Sequence, residues 1–307
     1  MKSKPDNGII IVSLLLAIVL WGANNVGTKF IVRSWPPIFV GSSRFLLAGL
    51  VLLALFRWTN LFGKPKPISR QLEKQLWLKG GLSLALYIMT FNWAVKLAPV
   101  SHVALYLGAS PVWALLWEGR PEKSWRSVQR YGAAALALLG VIVLFLPVLK
   151  TGTSQLFGEF LSLTASVLWT SYGRQCRALT TDLSGAEISA HTFLRAAILI
   201  TPLTIFEVIR QPVFWRTDLV LIQTFCVLGS GVVAFALWNN ALRHWKTSQV
   251  YLFNNVIPLS TMMWAHLFLG EEITKTFSLA MLLIVAGVII GQANWQKIFG
   301  TRWLPTE

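Results

Sequence analysis

The 307-residue chain is short of charge, above all of acid: 12 Asp and Glu stand against 27 Lys and Arg, and charged residues make up only 13% of it. A soluble protein carries roughly 25%. With 55% hydrophobic residues and a mean hydropathy of +0.60, too little polar surface remains to cover a water-soluble domain of this length. The same balance excludes intrinsic disorder, which needs low hydrophobicity and high net charge. Cysteine is also scarce. Cys176 and Cys226 lie in apolar stretches, with no CxxC spacing and no His-Cys cluster, which excludes a disulfide scaffold and offers no metal ligands. No metal and no other cofactor is expected.

What the chain has instead is length in its apolar runs. A bilayer core about 30 Å thick needs roughly 20 apolar residues per helix, and ten such runs are present, at residues 8–32, 37–56, 74–97, 100–117, 129–146, 157–177, 187–209, 218–242, 247–269 and 277–292. The expected fold class is an all-α membrane protein of ten transmembrane helices, with connections too short for a soluble domain. Lys2 and Lys4 before the apolar run 9–20 imitate a signal peptide, but the run continues towards Phe30 and nine more follow, so a retained first helix is expected.

The formal charge of +15 would suggest nucleic acid in a soluble chain. Here the basic residues fall between the spans. With the N-terminus inside, the inner segments collect 18 Lys and Arg and the outer ones seven, an imbalance that puts both termini in the cytoplasm. No nucleic-acid-binding motif accompanies the charge. The expected partners are a lipid bilayer and a small-molecule substrate, with no nucleic acid; the sequence assigns no oligomeric state.

Self-comparison gives the strongest signal. Asn92-Trp93-Ala94-Val95-Lys96, Ser101 and Pro111 return 147 residues later as Asn239-Asn240-Ala241-Leu242-Arg243, Ser248 and Pro258; Gly140-Val141-Ile142 returns as Gly287-Val288-Ile289, and Leu20-Trp21 returns after 148 residues as Leu168-Trp169. Residues 8–147 and 156–292 therefore read as two copies of a five-span unit. An odd number of spans makes the second copy enter the membrane from the opposite side, the inverted duplication of a secondary transporter.

The residues that carry the duplication also carry a resemblance. Leu20-Trp21-Gly22-Ala23-Asn24, Lys29, Pro36-Pro37, Arg44-Phe45, Asn92-x-Ala94 and Ser101, followed by Trp238 to Leu242, Ser248, Pro258, Gly270-Glu271 and Gly287-Val288, resemble an EamA-type member of the drug/metabolite transporter superfamily over nearly the whole chain. The resemblance implies two inverted five-helix halves around a central cavity. It also implies movement of a small metabolite, often export of an amino acid or related solute, across a bacterial plasma (inner) membrane. The Gly270-Glu271 step has no clean counterpart at Trp117-Glu118-Gly119, so Glu118 does not inherit a role from Glu271.

Arg44 lies about 12 Å into span two at about 1.5 Å per residue, too deep for an end anchor. A charge there usually faces the protein interior, either as a clamp for a substrate carboxylate or as a structural arginine satisfied by carbonyls; Arg195 in span seven stands under the same two readings. Pro111 and Pro258 each free a carbonyl one turn earlier, of Leu107 and Asn254. Interrupted spans at matching positions point to a transport site, against the alternative of packing kinks. Asn24, Asn25, Asn92, Asn239 and Asn254 are neutral hydrogen-bonding groups at depth, able to glue helices or to suit a polar or zwitterionic solute. Trp21, Trp169, Tyr106 and Tyr172 offer stacking surfaces, and Trp21 and Trp169 are repeat mates. The four His read as structural or interfacial, with proton carriage as the other reading.

Small multidrug exporters, relatives of this superfamily, resemble one another in a first-helix Glu; span one here has no acid, and Glu118, Glu159, Glu207, Glu271 and Glu272 all fall near predicted span ends. Export or exchange of a neutral or zwitterionic metabolite without proton coupling is therefore expected, by alternating access. The alternatives are efflux of cationic compounds and an intramembrane enzyme; for the latter, Gly229-Ser230-Gly231 lacks the GxSxG form and a neighbouring His, so no catalytic residues are expected.

Overall fold

A backbone in hydrocarbon must satisfy its own N–H and C=O groups, and a helix does so within one segment. The computed structural model describes residues 7–59, 66–117, 125–150, 152–179, 182–244, 250 and 253–292, and among these all regular structure is helical. In chain order the helices are α1 (Asn7–Ile31), α2 (Pro37–Trp58), α3 (Arg70–Gln75), α4 (Leu82–Leu97), α5 (Val100–Gly108), α6 (Ser110–Trp117), α7 (Trp125–Phe145), α8 (Thr153–Leu179), α9 (Gly185–Arg210), α10 (Thr217–Phe225), α11 (Phe235–His244), α12 (Ile257–Leu269) and α13 (Lys275–Gln292). Five stretches are long and apolar enough to cross a membrane: Asn7–Ile31, Pro37–Trp58, Ser127–Phe145, Gly185–Arg210 and Thr217–Trp238. Exposed Leu, Ile, Val and Phe cover their outer faces, as with Ile9, Val12 and Leu16 on α1, Leu46, Leu47 and Leu50 on α2, and Ile198, Leu203 and Phe206 on α9. The chain is an integral membrane protein.

Helix ends explain several elements. Pro37 opens α2, and the next two N–H groups, of Ile38 and Phe39, donate to Glu207 Oε2 on α9 at 2.7 and 3.2 Å, a carboxylate where the helix dipole favours one. Ser184 and Glu187 cap α9 reciprocally. Gly270 ends α12 in the left-handed region, φ +68°, which suits a residue without Cβ. Two joints are π-helical: α3 continues into α4 through Leu76–Gly81, and α10 into α11 through Cys226–Ala234. Such wide turns inside helices cluster at functional places.

The spans containing Pro111 and Pro258 are both interrupted. α5 stops at Gly108, Ala109 leaves the helical region, and α6 begins at Ser110. The Leu107 carbonyl that Pro111 cannot engage accepts the Ser110 hydroxyl at 2.6 Å. Pro258 does not sit in mid-helix but in the first turn of α12, after a 3-10 turn at Phe253–Val256, where its missing N–H would have no partner anyway. The breaks meet: a Cβ on Gly108 would stand 2.9 Å from Pro258 Cγ.

Four broad contacts build the bundle: α2 on α9, α7 on α13, α4 on α8 and α1 on α12. Small residues bring the backbones close, as helices in lipid require. Gly140 of α7 lies against Ala280 and Ile284 of α13, and Gly287 of α13 against Ala133 and Ala137 of α7. Gly22 of α1 packs on Ser260 of α12. A core of Phe91, Phe193, Ile88, Leu52 and their neighbours fills the space between α2, α4 and α9.

Candidate functional site

Trp21, Asn24, Asn25 and Thr28 follow one another around α1, and Arg44 of α2 reaches them. Arg44 is only 4% exposed. Its Nη1 donates to Asn24 Oδ1 at 3.1 Å and to Thr28 Oγ1 at 2.8 Å, while the Thr28 hydroxyl donates to the Asn24 carbonyl at 2.8 Å. The spacing of four residues between Asn24 and Thr28 puts both on one helix face, so the two form a ready seat for one end of the guanidinium. Nε and Nη2 have no hydrogen-bond partner among the described residues, and no carboxylate approaches within salt-bridge distance. The Arg44 guanidinium lies 5.0 Å from the centroid of the Phe45 ring and within electrostatic reach of Tyr87 and Cys226. Asn25 turns the other way and donates to Thr261 Oγ1 of α12 at 3.0 Å, tying α1 to the helix that begins at Pro258.

Two chains of aromatic rings lead away from Phe45 and Tyr87, which both interact with Arg44. In one, Trp21 meets Trp238 and Phe235 with centroids 5.1 and 5.3 Å apart, Phe235 meets Phe193 at 5.2 Å, and Phe193 meets Phe45 at 4.8 Å. In the other, Tyr87 meets Trp169 at 4.9 Å and Trp169 meets Tyr172 at 5.5 Å, with the Tyr172 hydroxyl 2.9 Å from Thr192 Oγ1. The constellation is a buried guanidinium with Nη1 fixed and two aromatic chains nearby, a chemistry that suits a carboxylate joined to an apolar or aromatic body.

Other residues expected at the site lie elsewhere. Arg195 has a partner: its Nη2 meets Glu73 Oε1 at 3.5 Å, its Nη1 donates to the His191 carbonyl at 3.2 Å, and its guanidinium lies 5.5 Å from the Trp77 ring centroid. Asn92 is wholly buried against Gly41, donating to the Ile88 carbonyl at 2.7 Å, in the α2–α4 packing. Tyr106 is buried beside α8, apart from the Arg44 network. The side chains of Pro111, Asn239 and Asn254 are outside the described residues. The sequence reading missed Thr28, Tyr87, Phe193, Phe235 and Thr261; only Thr28 carried a signal, its helical spacing from Asn24. Among the described residues no three His, Cys, Asp or Glu gather to hold a metal ion.

Comparison with known proteins bears on the family and the fold. The profile of the EamA-like transporter family matches residues 8–146 and again 156–291. An amino-acid sequence from Escherichia coli strain K12 named as a probable amino-acid metabolite efflux pump is 23% identical, with 94% of each chain aligned. An S-adenosylmethionine/S-adenosylhomocysteine transporter of Chlamydia trachomatis is 23% identical over 94% of this chain and 89% of its own. An uncharacterized transporter of Archaeoglobus fulgidus is 22% identical over 92% of this chain and 96% of its own. One solved crystal structure superposes with a TM-score of 0.62 over 97% of this chain and 100% of its own at 19% identity, a likeness that bears on the fold alone.

Proposed function

The chain belongs to the EamA-like transporter family, a transporter rather than an enzyme, and from that premise we propose that it exports a zwitterionic, carboxylate-bearing metabolite of the amino-acid class by alternating access. The observation that carries this reading is Arg44: a buried guanidinium with Nη1 fixed by Asn24 and Thr28 and with Nε and Nη2 unengaged. A lone buried charge is costly, and a substrate carboxylate is the group that would relieve the cost while satisfying both free donors. The substrates named for the E. coli and Chlamydia relatives are amino-acid derivatives. A cationic drug would meet Arg44 as a like charge, which disfavours the cation-efflux reading.

The substrate set is then Trp21, Asn24, Asn25 and Arg44 on one side and Trp169 and Tyr172 on the other, while Arg195, Asn92 and Tyr106 serve packing or other ends. Two five-span halves of opposite orientation support the rocking that alternating access requires. In favour of that arrangement are the reciprocal contacts of Gly140 and Gly287, whose partners are themselves offset by 147 residues. The repeat mates Trp21 and Trp169 also meet rings on the repeat-mate helices α11 and α4. The π turns and the two interrupted spans at corresponding places give hinges. The basic residues favour both termini in the cytoplasm, with the α4–α5 and α12–α13 turns outside.

The test is an efflux and toxicity screen with amino acids and their analogues in cells overproducing the protein, repeated with Arg44→Gln and Asn24→Ala. Protection against particular amino acids that both substitutions abolish, at equal membrane abundance, is the expected result. Equal protection by Arg44→Gln would overturn the assignment.

A further inference from the structure

At the outer end, away from Arg44, two buried polar side chains are left without a role. Glu159 of α8 is 0% exposed, and its Oε1 shares a hydrogen bond of 2.7 Å with Nδ1 of His102 on α5. Its Oε2 and the hydroxyl of Tyr106, which is fully buried one turn further along α5, find no partner of good hydrogen-bond geometry, and the two side chains lie close enough to interact with each other. His102 is different. It keeps 17% of its side chain exposed and lies flat along Phe277 of α13, planes 19° apart. A buried carboxylate thus communicates with the surface through one imidazole.

The pair bridges a contact that alternating access must break. Gly158, the residue before Glu159, lies against Leu97 and Ala98, with a Cβ there only 2.7 to 2.8 Å from them. Ser101, the residue before His102, gives its N–H and hydroxyl to Glu271 Oε2 at 3.1 and 2.5 Å, and Val100 gives its N–H to Glu271 Oε1 at 2.8 Å. From α1, Lys29 Nζ donates to the carbonyls of Val95 and Ala98, both at 2.7 Å. The α4–α5 turn is therefore pinned by α1, α8 and the α12–α13 turn together, and the His102–Glu159 bond is the member of that set that joins a wholly buried carboxylate to a partly exposed imidazole.

An ionised carboxylate cannot stay isolated at such depth. With one proton between them, Glu159 and His102 are neutral overall, whichever holds it, and the bond closes the contact. A second proton, arriving from the outer water through the exposed edge of His102, converts carboxylate to acid while the imidazole keeps its charge; the pair becomes a buried cation with a weaker bond. We propose that His102 and Glu159 form a proton-binding site that locks the outer contact between α5 and α8, so that protonation from outside opens it and ties substrate export to the proton. The other described titratable groups at this end, on elements packed against the pair, are Lys29 of α1, Lys96 of α4, His266, Glu271 and Glu272 at the α12–α13 turn, and Lys275 of α13, while α6 has none. Lys29 and Glu271 are held as above, Lys96 contacts Gln211 and His266 contacts the Glu271 carbonyl, so these four are engaged away from Glu159.

The coupling rests on the transport reading; the proton site stands on its own geometry, and the experiment separates them. Infrared pH-difference spectra of the full-length protein in lipid, needing no substrate, should show a carboxyl band that is present at the lower of two pH values and lost at the higher. The band should vanish in Glu159→Gln and move in His102→Gln, with Tyr106→Phe shifting it less. In proteoliposomes at fixed internal pH, efflux of the amino acid found by the screen should rise about tenfold from the higher to the lower external pH, a usual scale for coupling between sites. That ratio should collapse to near one in Glu159→Gln. Absence of the band overturns the site. A titrating band with efflux indifferent to external pH overturns the coupling and leaves transport intact, whereas a titrating band with no amino-acid efflux overturns the substrate reading and retains the proton site. If Glu159→Gln fails to fold, His102→Gln decides, since an unmoved band refutes the pairing.

Discussion

Replacing Arg44 by Lys keeps the charge and removes the fork, and so separates a clamp from a mere counter-charge. In the structure Nη1 is committed to Asn24 and Thr28 at 3.1 and 2.8 Å, leaving Nε and Nη2 as one planar edge for a carboxylate. Lys presents a single ammonium on a flexible stem, which cannot hold Asn24 and Thr28 and also offer two parallel donors. The expected loss is one charge-assisted hydrogen bond to the substrate, roughly 1.5–3 kcal/mol, which is about 10- to 150-fold in apparent affinity. Counterflow in proteoliposomes reads it directly, with the labelled amino acid found by the screen against its carboxamide. The acid should weaken by that factor in Arg44→Lys, while the carboxamide, which cannot accept the same pair of charged bonds, changes by no more than about threefold, less than one net hydrogen bond. Equal losses for acid and amide, or none for the acid, would refute the clamp. Arg44→Gln also removes the charge, and because that charge is buried without a carboxylate partner its removal should leave thermal stability unchanged or raised while transport of the acid falls further.

Three further outcomes follow from other contacts. Gly140→Val and Gly287→Val each force a side chain into backbone, at 2.8 Å from the Ala280 carbonyl oxygen and 2.6 Å from the Ala133 carbonyl oxygen. Each should destabilise by about 1–3 kcal/mol, with similar losses because the contacts are reciprocal; thermal unfolding followed by a thiol dye reports this through Cys176 and Cys226, and a neutral result for either denies the close α7–α13 packing. Gly132→Ala, with nothing within 4 Å of its added Cβ, is the control that should not destabilise. For Asn25 and Thr261, linked at 3.0 Å, a double-alanine cycle on unfolding should give a coupling of about 0.6 kcal/mol, the membrane average, and zero coupling would place the bond out of reach in the bilayer. Glu73→Gln should cost no more than about 1 kcal/mol, since Glu73 is half-exposed, and Arg195→Ala should cost more, having also lost the Trp77 ring and the His191 carbonyl; the reverse order in denaturation would contradict their assignment.

The fold was legible where physics acts through long periods. Apolar runs returned helix positions to within a few residues, from Asn7–Ile31 to Lys275–Gln292, because a span's length is fixed by the bilayer and not by its neighbours. The π turns were not legible: Leu76–Gly81 and Cys226–Ala234 are ordinary apolar sequence, and one extra residue per turn leaves no compositional mark. At the site, depth singled out Arg44 and Asn24 each by itself, their contact being visible only in the structure, and depth could not separate Arg44 from Arg195. Both are intramembrane arginines in apolar runs, and what distinguishes them is Glu73, distant in sequence and brought to Arg195 by the joint between α3 and α4. Partnership across 122 residues has no local signal.

Glu159 shows how much a mechanism depends on where an acid is buried. With span six starting at residue 157, Glu159 stood at the interface, where a carboxylate is solvated and unremarked, and export without proton coupling followed from the lack of acid in span one. The helix starts four residues earlier, at Thr153, a displacement of about 6 Å along the axis. Glu159 lies inside that helix, fully buried against His102. Buried so, it is a group that must share its proton or lose its charge, so the missing acid of α1 does not by itself argue against coupling: an acid is on α8, and external pH is the variable that should reveal its part.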